Sequence, residues 1–267
     1  MHRLRTEETA IRDDWPAIRV LGSRVHVVTM DDVIDWLGGC IANRNGPSRQ
    51  LVVTGFHGIW EAHKNDEFKR ILNSADLWVP DGIAPVWIAR RKGFAHAQRT
   101  PGAEIMKAFL ERANERGYRS FFYGDTDQTL GVLKDRLERD YPGHVVAGTY
   151  SPPFRPLSKA EDDEIVERIN AAEPDVVWVG LGLPKQDYWV HEHKDRLNAA
   201  VATGVGAAFS FMAQTVRRVP RWIGNMGLEW LWRLGMEPGK LWRRNLVEGP
   251  QFVAHVLAEM TGLRRYD

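Results

Sequence analysis

The strongest constraint in this chain is a repeated pattern: a short apolar run, a turn of glycine and small polar residues, then an amphipathic stretch. The apolar runs fall at residues 51–54, 77–79, 120–123, 145–148, 176–179 and 199–203. Runs this short, rich in Val, Phe and Trp and bounded by turn formers, predict strands. The stretches between them, residues 57–73, 103–116, 128–140, 159–172 and 186–197, predict helices. Ile105, Phe109 and Leu110 recur at helical spacing, as do Leu130, Leu133 and Leu137. Strands that alternate with helices predict an α/β fold, a mostly parallel sheet covered by helices on both faces. Ahead of this core, residues 18–30 predict a hairpin around Gly22-Ser23. After Pro220 the strand signal stops, and residues 221–263 predict two or three helices broken at Pro238-Gly239 and Gly249-Pro250. The expected organisation is a core with its hairpin over residues 1–215 and a helical appendage over residues 216–267.

Composition excludes several classes. Hydrophobic residues make up 43% and charged residues 27%, which supports a large core and argues against disorder. The single Cys40 rules out an intramolecular disulfide framework and a cysteine-built metal site, which fits a reducing cytoplasm. Residues 1–14 are charged and lack the apolar stretch of a signal peptide. The longest weakly polar run, residues 201–213, is too short to cross a bilayer, so the chain is expected to be soluble or peripheral. Charge is uneven: residues 211–267 hold nine basic and five acidic side chains, a surplus of four, interleaved with Trp222, Trp230, Trp232 and Trp242. That pairing points to an anionic partner for the appendage.

In a parallel α/β sheet, ligands bind beyond the carboxyl ends of the strands. Here those ends are followed by Thr54-Gly55, by Pro80-Asp81-Gly82, by Gly124-Asp125-Thr126, by Gly180-Leu181-Gly182 leading to Gln186, and by Gly204-Val205-Gly206. One such glycine is an ordinary turn residue; five on one edge predict a nucleotide or phosphate site built from backbone N–H groups and helix N-termini. Asp81 is the sharpest single candidate, a strand-end carboxylate that can take a proton from an attacking hydroxyl. Thr54, Gln186 and Arg99 are candidates for holding substrate. His57 and His63 do not have chelating spacing, and His191 and His193 face apart on a helix, so no metal site is expected. Neither a Gly-x-x-x-x-Gly-Lys-Ser/Thr loop nor a Gly-x-Ser-x-Gly elbow occurs.

Six segments then carry a resemblance: VTGFHGIWEAHKNDEFKRILNSADLWVPDGIAPVW, RTPGAEIM, YSPPFRPLS, VWVGLGLPKQDYWV, ATGVGAAFSFMA and VRRVPRWIGNMGLEWLWRLGMEPGKLWRR. In this order they resemble the WecG/TagA/CpsF glycosyltransferases, glycosyltransferase family 26. The resemblance implies a Rossmann-like core, and an inverting, metal-independent transferase with no cofactor. It implies a UDP-sugar donor and a polyprenyl-diphosphate-linked sugar acceptor at the inner face of the plasma membrane, as in cell-surface polysaccharide synthesis. It makes Asp81 the general base and Thr54 its strand-end companion. It makes Arg99 and Gln186 substrate-binding residues, beside Gly124, Gly182, Gly204 and Gly206, which the strand-end pattern already marks for substrate. Arg233, Lys240 and Arg243 of the appendage would reach the phosphates. Many members carry Asn where this chain has Phe56, Asp where it has Ser210 and Gly where it has Gln214. Without that Asn, a plain hexose such as glucose stands beside N-acetylmannosamine as the donor sugar. No nucleic-acid partner is expected, and a homo-oligomer is left open. On fold analogy alone, a NAD-dependent oxidoreductase is the enzymatic alternative, but neither Gly180-Leu181-Gly182 nor Gly204-Val205-Gly206 has the third glycine in place. A non-catalytic nucleotide-sugar sensor or scaffold is the alternative of another class.

Overall fold

The structure, a computed structural model, describes residues 11–214, 231, 234, 235, 239 and 242–266. Arg233, Lys240, Pro238 of the expected break at Pro238-Gly239 and the boundary at residue 215 lie outside the described residues.

The chain opens with an antiparallel hairpin, β1 (Ala17–Val20) and β2 (Ser23–His26). Its turn is Leu21-Gly22, with φ of 51° and 81°; two positive φ angles give the turn whose twist matches paired strands. Residue 30 does not belong to this hairpin, because Met30 begins α1 (Met30–Ala42). The Thr29 side chain accepts from the Asp32 N–H and the Asp32 carboxylate from the Thr29 N–H, a reciprocal cap.

The core sheet has β3 (Arg49–Thr54), β4 (Leu77–Pro80), β5 (Arg119–Gly124), β6 (Val145–Tyr150), β7 (Val176–Gly180) and β8 (Val201–Gly204). All its pairings are parallel, in the order β4-β3-β8-β7-β5-β6. The helices are α2 (Phe56–Lys64), α3 (Asp66–Asn73), α4 (Ile83–Arg91), α5 (Gly102–Arg116), α6 (Asp127–Asp140), α7 (Lys159–Ala171), α8 (Lys185–His193) and α9 (Ala208–Met212). Strand side chains alternate between two cores, as the period of two requires. Leu51, Val53, Leu77, Val79, Phe122 and Trp178 face α1, α5, α6 and α9. Val52 and Trp78 face the hairpin with α2, α3 and α4, and Phe121, Tyr123, Val177 and Val179 face α7 and α8.

Helix α1 was not expected, and further elements differ from expectation. The single helix expected over 57–73 is two, because Asn65 ends α2 and its side chain accepts from the N–H groups of Glu67 and Phe68 to start α3. Helix α4 was not expected; its Pro85 sits in the first turn, where the missing N–H costs no intrahelical bond. Gly249-Pro250 does not break the C-terminal segment. A π-helical turn, Arg243–Glu248, runs directly into α10 (Gly249–Met260), with the proline in the first turn of α10. Helix α10 buries Phe252 and Val256 in the core around Trp78, while Leu246, Val253 and Leu257 remain exposed. Among the described residues, no helix is long and apolar enough to cross a membrane.

Candidate active site at the carboxyl edge of the sheet

The loops that follow the strands enclose a cleft of about 2100 Å³ over the carboxyl edge of the sheet. Its lining includes Thr54, Asp81, Arg99, Gly182, Gln186, Gly206 and Arg243, which the sequence marks out in five of the six segments.

Strand register sets the first pair. Thr54 lies beside Pro80, so Asp81 emerges next to the Thr54-Gly55 turn, and the Asp81 N–H donates to the Thr54 carbonyl at 3.3 Å. The two turns touch: a Cβ on Gly55 would stand 3.0 Å from the Gly82 nitrogen, a distance real side chains avoid. The Asp81 carboxylate accepts from the N–H of Gly102, the first residue of α5, at 3.1 Å. A helix N-terminus thus orients the carboxylate while the residue as a whole stays exposed to the cleft. Thr54 is buried, its side chain against Gly58 in the first turn of α2. Arg99 is half-buried, and its segment is fixed by the Thr100 N–H donating to the Pro80 carbonyl at 2.9 Å.

Gln186 has a second role that its motif did not disclose. Its side chain is buried, and its Oε1 accepts from the Gly206 N–H at 2.9 Å, tying the start of α8 to the loop after β8. Gly204 and Gly124 stand behind the lining and not in it. Gly204 packs under Gln186; Gly124, at φ 117°, packs on Gly180, where an added Cβ would lie 2.6 Å from the backbone. Both shape the floor from which the lining residues rise.

Other lining residues were not singled out as substrate-binding. Asp125 and Ser210 meet in a hydrogen bond of 3.0 Å. Phe154, 96% exposed, stands in the proline-rich loop after β6. Leu246 of the π-helical turn and Val253 and Leu257 of α10 bring an apolar stripe to the rim. His57, Glu61 and Glu248 place ligand atoms within 4.8 Å of one another and are the described residues that could gather around a metal ion. The His57–Glu61 half of that group has i, i+4 spacing and was legible; Glu248 comes from the appendage and was not. Lys64 Nζ lies 2.7 Å from Glu61 and 3.4 Å from Glu248. Burial first, and then the Arg244 guanidinium, hold the His57 imidazole below its ordinary value. The chain's own cations therefore already balance the two carboxylates. Asp187, in the first turn of α8, is fully buried, and burial pushes its carboxyl up to about 7.

A strand-end carboxylate within reach of an attacking hydroxyl, with arginines and backbone N–H groups around it, can deprotonate a nucleophile and stabilise a departing phosphate. The model of the family described as "Glycosyl transferase WecG/TagA/CpsF family" matches residues 18–266. A Bacillus spizizenii protein named N-acetylglucosaminyldiphosphoundecaprenol N-acetyl-beta-D-mannosaminyltransferase is 33% identical over 198 residues, 74% of each chain. A Bacillus subtilis protein of the same name is 30% identical, over 74% of this chain and 75% of its own. A Staphylococcus aureus protein, again of that name, is 25% identical over 87% of this chain and 88% of its own. The fold, the cleft and these matches agree, and the chain belongs to the WecG/TagA/CpsF family of glycosyltransferases.

Proposed function

We propose that this glycosyltransferase moves a sugar from a UDP-sugar to a polyprenyl-diphosphate-linked sugar, with inversion, in the synthesis of a cell-surface polysaccharide or exopolysaccharide. The observation that carries the reading is Asp81, held by the first N–H of α5 beside Thr54 at the open end of β4. An acceptor hydroxyl attacks the anomeric carbon from the face opposite the diphosphate. The new C–O bond forms as the bond to the phosphate oxygen breaks, the hydroxyl proton passes to Asp81, and UDP leaves with the bonding pair. Arg99, Arg243 and backbone N–H groups offset the charge gained by the leaving group, so no metal is required.

The donor sugar is a hexose or an N-acetylhexosamine. Phe56 favours the plain hexose: its ring packs on Phe252 of α10 at 5.7 Å, presenting an apolar edge where an amide would read an acetamido group. The names of the relatives favour N-acetylmannosamine. The appendage supplies the membrane contact at the inner face. Exposed Trp242, Val253, Leu257, Met260 and Leu263 stand beside Arg243, Arg264 and Arg265, the combination an anionic interface attracts.

The test is UDP release from UDP-glucose and from UDP-N-acetylmannosamine, with and without a polyprenyl-diphosphate sugar, in EDTA. Acceptor-dependent release that survives chelation is expected. Release that requires added Mg²⁺ or Mn²⁺ overturns the metal-free mechanism, and nucleotide binding with no turnover on any acceptor favours a sensor.

A further inference from the structure

Asp125 stands on the same edge as Asp81, beyond β5. The strand order β4-β3-β8-β7-β5-β6 puts four strand spacings between them, roughly 19 Å at about 4.8 Å per spacing. Asp125 therefore does not share a reacting atom with Asp81. Its backbone is left-handed, φ 58°, a conformation that costs a residue with a side chain about 1 kcal/mol or more. Three neighbouring elements, the end of β7, the loop after β6 and α9, hold it there. Its N–H donates to the Gly180 carbonyl at 3.1 Å, and its own carbonyl accepts from Ser151 Oγ at 2.7 Å. Its Oδ1 accepts from the Thr126 N–H at 2.8 Å, and its Oδ2 from Ser210 Oγ at 3.0 Å. A carboxylate accepts about four hydrogen bonds. These two set its orientation and leave acceptor capacity toward the cleft that Asp125 lines.

A nucleoside diphosphate sugar with its anomeric carbon at Asp81 and its diphosphate across the glycine loops of β8 and β7 reaches β5 with its nucleoside. A ribose offers two neighbouring hydroxyls, and a carboxylate beside the nucleotide in such a fold accepts a hydrogen bond from a ribose hydroxyl. We infer that Asp125, aimed by Ser210, accepts hydrogen bonds from the ribose hydroxyls of the nucleotide donor and so determines its specificity for a ribonucleotide. The inference rests on the proposal that the donor is a uridine nucleotide sugar. Ser210 acts as a positioning residue.

Calorimetry with UDP, 2′-deoxy-UDP and 3′-deoxy-UDP tests it on the full chain. The wild type should bind UDP roughly tenfold to hundredfold more tightly than either deoxynucleotide, the value of hydrogen bonds to a charged group. Asp125→Ala should weaken UDP by a similar factor and bind all three alike. Asp125→Asn, which tolerates the left-handed backbone and keeps one acceptor, should fall between and guards against a misfolded alanine variant. Ser210→Ala should reduce the discrimination several-fold, and Ser210→Thr should restore it; a role confined to folding would not move that ratio. UDP binding that ignores the ribose hydroxyls, or discrimination that persists in both Asp125 variants, overturns this inference alone. Failure of the wild type to bind UDP overturns the donor reading together with it.

Discussion

The two edges of the core sheet use the same residue types for opposite ends. At the amino edge, polar side chains close on the backbone. Asp76 accepts from the Gln50 N–H and Asp175 from the Arg119 N–H, each at 2.8 Å, where β3 and β5 begin. Ser48 Oγ donates to the Ala199 carbonyl at 2.6 Å, and His144 Nε2 meets Ser120 Oγ at 2.9 Å. At the carboxyl edge, glycine turns bring backbones into contact, and Asp81 and Asp125 line open space. A carboxylate at a strand start satisfies an orphan donor and is spent there. At a strand end it stands among loops and helix N-termini that converge from several elements, and part of it stays available to a ligand.

The largest effect should separate the edges outright. Asp81→Asn should lower kcat by about 10² to 10⁴ while donor affinity and the melting temperature stay near wild type. Asp175→Ala should leave kcat per folded molecule intact and cost about 1–3 kcal/mol of stability by orphaning the Arg119 N–H. Turnover, calorimetry and thermal melts on the two variants decide it. A low-melting Asp81→Asn would erase the distinction.

Gly124→Ala probes the floor of the carboxyl edge. The added methyl meets the Gly180 backbone at a φ of 117°, which should cost about 3 kcal/mol. Denaturant unfolding measures this; a loss under 1 kcal/mol would mean that β5 and β7 can part freely.

The edges should also answer pH in opposite senses. Burial holds His144, at the amino edge, at about 4 against an ordinary 6.5. The unfolded chain then binds a proton that the folded one refuses, so stability falls as pH drops from 6.5 to 4. The slope is about 1.4 kcal/mol per pH unit. Asp187, at the carboxyl edge, is raised from 3.8 to about 7. The unfolded chain loses its proton first, so stability falls by a similar slope as pH rises from about 4 to 7. His144→Gln should remove the first slope and Asp187→Asn the second, read from denaturant midpoints at pH 4.5, 5.5 and 6.5. Unchanged slopes in both variants would place the titrating groups elsewhere.

Thr54→Ala should be the mildest change, about 1 kcal/mol or some fivefold in kcat/KM, through one neutral hydrogen bond. A loss as large as that of Asp81→Asn would promote Thr54 to an equal part in the chemistry.

Much of the site was readable because it is local. Pro80-Asp81-Gly82 announces a turn with a carboxylate after an apolar strand, and strand ends of a parallel sheet are where ligands bind. Helix α1 is not among the expected elements, although Val33, Trp36, Leu37 and Cys40 repeat at helical spacing and are buried. Helices α2 and α3 read as one across Asn65, whose side chain can cap a helix only once the backbone has turned away from the one before. The roles of Gly124 and Gly204 were legible as glycines but not as packing contacts. Gly180 and Gln186 meet them only through strand pairing and the docking of α8.

The sequence by itself determined the element types, the parallel sheet and the loops that would carry polar groups, because periodicity and turn chemistry act over a few neighbouring residues. Only the tertiary structure decided the strand order, and with it the placement of Asp81 and Asp125 four strand spacings apart along one cleft. It alone brought Glu248 to His57 and Lys64, and Leu246, Val253 and Leu257 to the rim. Parallel strands pair through long crossovers, and no local pattern states which strand lies beside which. That choice is made when apolar faces such as Phe56 against Phe252, or Phe122 against Phe209, find one another across the whole chain.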